Sequence, residues 1–194
     1  MAEEQTQNES VSHPLQFKWT LWHDFPSPRT RNASYAANLR PIASFDTVEE
    51  FWAIFNSLKE PSHLQSLHTY NLFKFGIEPK WEDAQNKDGG EWRVTFTPSQ
   101  HSPLNDCWIN TVLTVIGEGF GPEESDDIAG VVMNRKRGNN RVAIWTKTAA
   151  DEKLQRSIGT RWRETSGIIA DQHYLRFKDL IGTNKRPKPH YTVE

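Results

Sequence analysis

The 194-residue chain has almost no cysteine. Cys107 is the only one, so neither a disulfide framework nor a cysteine-rich zinc site can form within one chain. This scarcity favours a reducing compartment, the cytosol or the nucleus. The sequence also lacks any apolar run close to the roughly 20 residues that a membrane span needs. We expect a polar, disordered tail over residues 1–12 and a single domain over residues 13–194, with no membrane attachment.

Familiar catalytic motifs are missing as well. The sequence contains no HExxH, no GxSxG and no P-loop. Of the seven histidines, the closest pair is His63 and His68, which do not have the i, i+4 spacing of metal ligands on a helix. Cys107 lies in an apolar stretch with no flanking base, which favours a buried and unreactive thiol. We therefore predict a protein that is not an enzyme and that uses no cofactor and no metal.

An excess of charge of one sign is absent too, since the net charge is −2. The distribution is uneven, however: residues 133–194 hold 14 of the 23 Lys and Arg but only 6 of the 25 Asp and Glu. This asymmetry indicates a local anion site on an otherwise acidic molecule. A general binder of nucleic-acid backbone would be basic overall, so a small anionic ligand is the better match.

What the chain does have is tryptophan, with eight against only four tyrosines. We expect most of them in the core, because the bulk of an indole has to be packed. Trp81 and Glu82 follow Pro79 in a loop after a predicted strand, where a core tryptophan is less natural. An exposed indole beside a carboxylate suits a cationic guanine such as 7-methylguanine. The carboxylate can accept the two N–H donors of the guanine edge, and the positive charge strengthens stacking by about 1–2 kcal/mol.

A basic hairpin is the candidate for the part of the site that binds the anion. The basic run Arg135–Arg137 leads into a turn, and Arg141, Ala143 and Trp145 share one face of the returning strand. An arginine beside a tryptophan would place a phosphate clamp next to an aromatic wall. The alternative is that these basic residues are merely solvated, as charges at a hairpin turn usually are.

Apolar periodicity predicts an α+β fold. One helix begins after Thr47, which can cap the Glu50 amide, and a second covers Leu104–Ile116. Thr148 with Asp151 opens a third helix. Strands outnumber helices without regular βαβ alternation, so we expect an antiparallel sheet covered by helices on one face. The predicted strands cover residues 17–22, 38–45, 70–75, 92–96, 128–134 and 142–146.

Five segments resemble the eukaryotic initiation factor 4E family, in the family's order and with nearly its spacing, between His13 and about Trp162. The resemblance implies a curved antiparallel sheet of about eight strands backed by three helices on the convex face. It also implies binding of the 7-methylguanosine cap of messenger RNA, without enzymatic activity. The five segments are His13–Leu15, Phe45–Trp52, Gly76–Asp83, Gly89–Trp92 and Val142–Thr146.

The resemblance assigns roles at the cap. Trp81 would form one side of the sandwich around 7-methylguanine, Glu82 would accept the N1 and N2 hydrogens, and Trp145 would touch the methyl group. The opposite side of the sandwich falls on Tyr35, where the initiation factors usually have tryptophan. A tyrosine behind the long loop His23–Ser34 is more similar to the homologous-protein branch of the family, whose members often bind cap more weakly and repress translation. Trp19 and Trp22 in the first strand, in contrast, are more similar to the main branch.

The phosphates would be held by Arg141 and by one or two residues of the basic run. Alignment on Asn134 without a gap selects Lys136, whereas alignment on the basic run with one inserted residue selects Arg135 and Arg137. We prefer Lys136.

The family also implies a partner surface on the convex side, where a short helix of the scaffold initiation factor 4G or of a 4E-binding protein would dock on a monomer. For Val48 and Trp52, ordinary core packing on an amphipathic helix is the alternative. The predicted partner residues are His13, Pro14, Leu15, Val48, Trp52, Ile109, Leu113 and Gly117.

Three functions follow as hypotheses. The first is a cytoplasmic, or also nuclear, cap-binding initiation factor that brings a scaffold protein to the messenger. The second is a cap-competing translational repressor of the same fold, which Tyr35 favours. The third and weakest is a carbohydrate-acting enzyme or lectin-like domain that uses tryptophans against sugars, with Glu82 and Asp83 as acid and base.

Overall fold

The computed structural model describes residues 12–25, 38–181 and 188–193. Its framework is one curved, open antiparallel sheet of eight strands in the order β2-β1-β3-β5-β6-β4-β7-β8. This confirms the predicted fold class. The strands are β1 Pro14–Asp24, β2 Leu39–Thr47, β3 Thr69–Lys74, β4 Gly90–Phe96, β5 Ile128–Asn134, β6 Asn140–Thr146, β7 Gln172–Arg176 and β8 Tyr191–Val193.

Five α-helices accompany the sheet in the described part of the chain, together with a 3₁₀ turn at Pro61–His63. The three longer ones, α1, α2 and α4, are the predicted helices, and α3 and α5 are short additions. None of the described helices is long and apolar enough to cross a bilayer. The helices are α1 Val48–Phe55, α2 His101–Ile116, α3 Pro122–Asp127, α4 Glu152–Ser166 and α5 Phe177–Leu180.

The two faces of the sheet differ in what covers them. On one face the long helices bury a large aromatic core that includes Trp19, Trp92, Trp108 and Trp162, each at most 1% exposed. Cys107 belongs to this core, and burial raises the pKa of its thiol to about 12, as the expectation of an unreactive cysteine requires. The other face carries a smaller apolar cluster, formed by Phe73, Ile77, Ala129, Val132, Ala143, Trp145 and Phe177.

Local hydrogen bonds fix where α1 begins. The Thr47 hydroxyl accepts from the Glu50 amide at 3.2 Å, as predicted. The Glu50 carboxylate reaches back to the amide of Asp46, at 3.1 Å, one residue before the cap. Both bonds satisfy backbone donors that the first turn leaves without a partner, so α1 has a firm start.

The predicted start of α4 was wrong by three residues. Asp151 is the cap, and its carboxylate accepts from the Leu154 amide at 3.0 Å. Thr148 is held instead by buried Asp127, which accepts from the Thr148 amide at 3.0 Å and from its hydroxyl at 2.9 Å. The same carboxylate accepts from Gln155 Nε2 at 2.8 Å, so Thr148 belongs to a buried polar network rather than to the helix start.

Candidate functional site

A cavity of about 200 Å³ opens on the sheet face opposite the long helices. Trp81, Arg141 and Trp145, which the sequence predicts separately, all contribute to its walls. The other lining residues are Pro79, Lys80, Val132 and Asn134. Strands β5 and β6 therefore form the floor, and the loop between β3 and β4 forms one wall.

Buried polar groups build that loop from within. Asn86 is fully buried, and its Nδ2 donates to the carbonyl oxygens of Glu78 at 2.9 Å and Lys80 at 2.7 Å. The Asp83 carboxylate accepts from two further backbone amides of the loop, at 3.0 and 2.8 Å. These bonds give Trp81 a defined backbone in a segment without regular secondary structure. The sequence analysis did not identify this support.

Trp81 and Glu82 are both accessible at the tip of this loop. Trp81 is 40% exposed, which is unusual for an indole and leaves part of the residue accessible to a ligand. Glu82 is exposed, and no hydrogen bond or ion pair joins it to another residue in the described part of the chain. It lies beside the cavity-lining residues rather than among them, with both carboxylate oxygens available as acceptors.

Trp145, in contrast, is fixed in place. Only 9% of the residue is exposed, and its ring packs against Phe177 at 4.5 Å and edge-on against Phe73 at 5.4 Å between centroids. Its Nε1 donates to Glu91 Oε2 at 3.1 Å. A packed and hydrogen-bonded indole presents a rigid apolar edge to the cavity.

Arg141 is clamped between two acceptors. Its Nε and Nη2 donate to Asn134 Oδ1, at 2.9 and 2.6 Å, and its Nη1 donates to Glu91 Oε1 at 2.8 Å. Neither Asn134 nor Glu91 was predicted as a site residue. A signal for Glu91 exists in the sequence, because alternation with buried Trp92 places it on the cavity face of β4.

The three consecutive basic residues have different surroundings. The pKa of Lys136 is lowered, first by the positive charge of Arg141 and then by desolvation, so its ammonium group lies near the cavity arginine. Arg135 is half-buried, and its Nε donates to the carbonyl oxygen of Leu64 at 3.3 Å. Arg137 is exposed. Of the three, Lys136 shares the electrostatic environment of Arg141.

Two other predictions concern what the site contains. Tyr35, expected to complete the aromatic sandwich, lies outside the described residues. Within residues 12–25, 38–181 and 188–193, no group of three or more His, Cys, Asp or Glu side chains is arranged to hold a metal ion.

The predicted partner residues lie on the helix side of the sheet. The His13 carbonyl accepts from the Val48 amide at 2.9 Å, and the His13 ring and amide contact Glu49 at 2.6 and 3.1 Å. These hydrogen bonds lower the pKa of Glu49 to about 2. Trp52 is 38% exposed and makes an edge-on contact with Phe55.

On the neighbouring helix α2, Ile109 and Leu113 are half-buried against the core, as is Leu15 of β1, while Pro14 and Gly117 are exposed. A cleft of about 390 Å³ has Phe55 among its lining residues from α1 and Ile109 among those from α2. The cleft mixes apolar and polar side chains, and Asn105 and Asp106 line it beside Ile109.

Comparisons with known proteins agree with this geometry. The family model described as eukaryotic initiation factor 4E matches residues 14–190. Eukaryotic translation initiation factor 4E-1 of Arabidopsis thaliana is 43% identical over 182 residues, which are 94% of this chain and 75% of the relative. Eukaryotic translation initiation factor isoform 4E of Nicotiana tabacum is 39% identical over 181 residues, which are 93% of this chain and 88% of the relative.

Solved structures of initiation factor 4E proteins are similar to this chain as well. A complex of C. elegans eIF4E-3 with the 4E-binding protein Mextli and cap analog has a TM-score of 0.86 and 31% identity, over 94% of this chain and all of that one. Ascaris suum eIF4E-3 with m7G cap has a TM-score of 0.85 and 30% identity, over 94% and 98% of the two chains. The chain belongs to the eukaryotic initiation factor 4E family.

Proposed function

We propose that the chain binds the 7-methylguanosine cap of messenger RNA in the cavity between Trp81 and Trp145, and recruits a scaffold protein for translation initiation. The observation that carries this proposal is the meeting of Trp81, Arg141 and Trp145 in one cavity of about 200 Å³. Proteins of this family are translation factors and not enzymes.

The base is recognised by stacking and by its edge. The open face of Trp81 stacks on the cationic ring of 7-methylguanine, with Tyr35 on the other side, and a positive ring stacks on indole more strongly than a neutral one. Glu82 accepts the N1 and N2 hydrogens through its two free carboxylate oxygens. Trp145 contacts the methyl group from its fixed position.

The phosphate chain is held by Arg141 and Lys136. Of the five N–H groups of Arg141, three are engaged by Asn134 and Glu91, which leaves two for phosphate oxygens in a fixed direction. Lys136 adds a second cation next to it. The two solved relatives with a cap analog or an m7G cap support cap binding as such, since the chain shares their fold at 30% identity or more.

Partner binding uses the other side of the sheet. The exposed Trp52 and the half-buried Ile109 and Leu113 suit the apolar anchors of an amphipathic helix laid across α1 and α2. The C. elegans relative bound to the 4E-binding protein Mextli supports a partner of this kind. With the partner residues on the helix side and the cavity on the opposite face, both ligands can bind at once.

Two matched substitutions test the proposal, because Trp81 and Trp52 are almost equally exposed, at 40% and 38%. W81A is expected to abolish retention on immobilised 7-methyl-GTP while keeping capture by a 4E-binding-protein fragment. W52A is expected to do the reverse. The proposal fails if W81A is retained like the wild type, or if W52A loses both activities while remaining folded by circular dichroism.

The repressor alternative keeps one observation in its favour, the tyrosine at position 35. The names of the relatives, initiation factor 4E-1 and isoform 4E, favour the initiation factor. Addition of the protein to a cell-free extract depleted of its own cap-binding factor separates the two hypotheses. We expect restored translation of a capped reporter, whereas a repressor would leave it silent.

A further inference from the structure

Glu91 is a buried carboxylate beneath the cavity that makes no contact with the cap in the recognition described above. It lies on β4 directly opposite Trp145 of β6, and only 1% of the residue is exposed. A buried carboxylate is costly unless it is paired, and it is uncommon where a site is meant to attract anions. Its position therefore calls for a specific function.

Three donors converge on this carboxylate. Trp145 Nε1 lies 3.1 Å from Oε2, while Arg141 Nη1 and Arg93 Nη1 lie 2.8 and 3.6 Å from Oε1. Oε2 therefore accepts from Trp145, in the aromatic wall of the cavity, and Oε1 pairs with the two arginines. Glu91 joins the two halves of the site through a single rigid group.

The consequence for Arg141 is a fixed direction. With Asn134 on one side and Glu91 on the other, its guanidinium plane is held by three hydrogen bonds, and its side chain is only 20% exposed. The remaining N–H groups can meet a phosphate without further ordering of the side chain, which lowers the entropic cost of binding.

Glu91 favours the ordering of Arg141, but its charge disfavours the binding of phosphate. The charge of Glu91 offsets one of the three cations Arg93, Lys136 and Arg141, and it repels any phosphate that contacts Arg141. At an effective dielectric constant near 20, repulsion between two unit charges about 12 Å apart changes affinity by about tenfold, and closer charges repel more strongly. The charge of Glu91 also acts on Lys136. Glu91 raises the pKa of Lys136, whereas Arg141 lowers it.

We propose that Glu91 is a positioning residue that orients Trp145 and Arg141 together, and that its buried charge limits how much affinity the phosphate chain adds to the methylated base. This inference rests on the proposed function, because it concerns the same cavity. It makes Glu91 the residue that sets the balance between recognition of the base and attraction of the phosphates.

The test compares a nucleoside with its triphosphate. The phosphate gain is the Kd of 7-methylguanosine divided by the Kd of 7-methyl-GTP, both from tryptophan fluorescence. E91Q removes the charge and leaves one acceptor oxygen, which faces the two arginines because cations are the stronger partners, while the contact with Trp145 is lost. Arg141 therefore stays oriented, the loss at Trp145 affects both ligands alike, and the phosphate gain is expected to rise by about three- to tenfold. E123Q, which changes the net charge equally on the exposed side of α3, is expected to leave it unchanged.

If Glu91 served only folding, E91Q would weaken the binding of both ligands equally and leave the phosphate gain constant. An unchanged or lower phosphate gain in folded E91Q therefore overturns the inference. If E91Q does not fold, the pair R141Q and R141Q/E91Q replaces it. R141Q leaves the carboxylate without its main partner, and the double variant is expected to recover at least about threefold in gain. If the double variant recovers no phosphate gain, the inference is overturned.

Failure of the proposed function is distinguishable from failure at Glu91. A wild-type protein that binds GTP and 7-methyl-GTP equally overturns the proposed function, and the role of Glu91 with it. A wild-type protein that prefers 7-methyl-GTP, with a phosphate gain that E91Q does not raise, overturns the role of Glu91 alone.

Discussion

Arg135, Lys136 and Arg137 are consecutive in the chain but differ in what surrounds their charges. Lys136 and Arg137 are both exposed, the charge of Arg141 lowers the pKa of Lys136, and Arg135 donates to the backbone carbonyl oxygen of Leu64. K136A is therefore expected to weaken 7-methyl-GTP binding about fivefold, the effect of losing one partly exposed charge contact with phosphate. R137A is expected to change it by no more than about twofold.

Fluorescence titration of the three alanine variants, with thermal melting alongside, measures this difference. R135A is expected to lower the melting temperature rather than the affinity, because its guanidinium is half-buried and hydrogen-bonded to Leu64. If R135A and R137A weaken 7-methyl-GTP and K136A does not, the alignment with one inserted residue is correct and Lys136 is not the phosphate ligand.

Single residues were predictable where the chemistry shows in the residue type itself. Trp81, Arg141 and Trp145 stand out as an exposed indole and an arginine–tryptophan face, and the structure brings them together. Glu91 was missed because its contact with Arg141 depends on the pairing of β4 with β6, and strand order is not visible in local periodicity. Asn134 lies opposite Arg141 in the predicted β5–β6 hairpin, but the hairpin pattern does not show which side-chain hydrogen bonds form across it.

The loop between β3 and β4 shows how one element positions another. At its end, a Cβ on Gly89 would lie 1.8 Å from the carbonyl oxygen of Thr146, the last residue of β6. G89A is therefore expected to displace the loop from β6, lowering stability by about 2 kcal/mol or more and weakening cap binding, because Trp81 moves with the loop.

The hairpin between β5 and β6 offers the matched control. A Cβ on Gly138 would have nothing within 4 Å, so G138A is expected to behave like the wild type in urea unfolding and in 7-methyl-GTP titration. Equal behaviour of the two glycine variants would mean that the close approach of Gly89 to Thr146 does not hold the loop.

Elements were predictable in proportion to their length. Strands β1 to β6 and the three longer helices carry enough alternation or helical spacing to be recognised. Four short elements were not predicted, namely strands β7 and β8 and helices α3 and α5. Each has three to six residues, too few to show a strand or helix periodicity. The start of α4 was misplaced because Asp127, distant in sequence, draws Thr148 into its network.

On the scale of the whole molecule, the sheet separates two functions. One face is covered by helices that carry the predicted partner residues, and the other holds the small cavity at β5, β6 and the β3–β4 loop. The uneven charge of the sequence has a structural counterpart, because Arg141, which belongs to the basic stretch 133–194, lines this cavity. The anion site that composition predicts in this stretch stays a prediction.

The most direct test of cap recognition is a titration of the wild-type tryptophan fluorescence with 7-methyl-GTP and, separately, with GTP. Methylation makes the base cationic, and about 1–2 kcal/mol of extra stacking on indole corresponds to roughly 5- to 30-fold in affinity. We predict strong quenching at low concentrations of 7-methyl-GTP and a much weaker response to GTP. Equal responses to both nucleotides, or none, would contradict the assignment of Trp81, Glu82 and Trp145 to a cap-binding site.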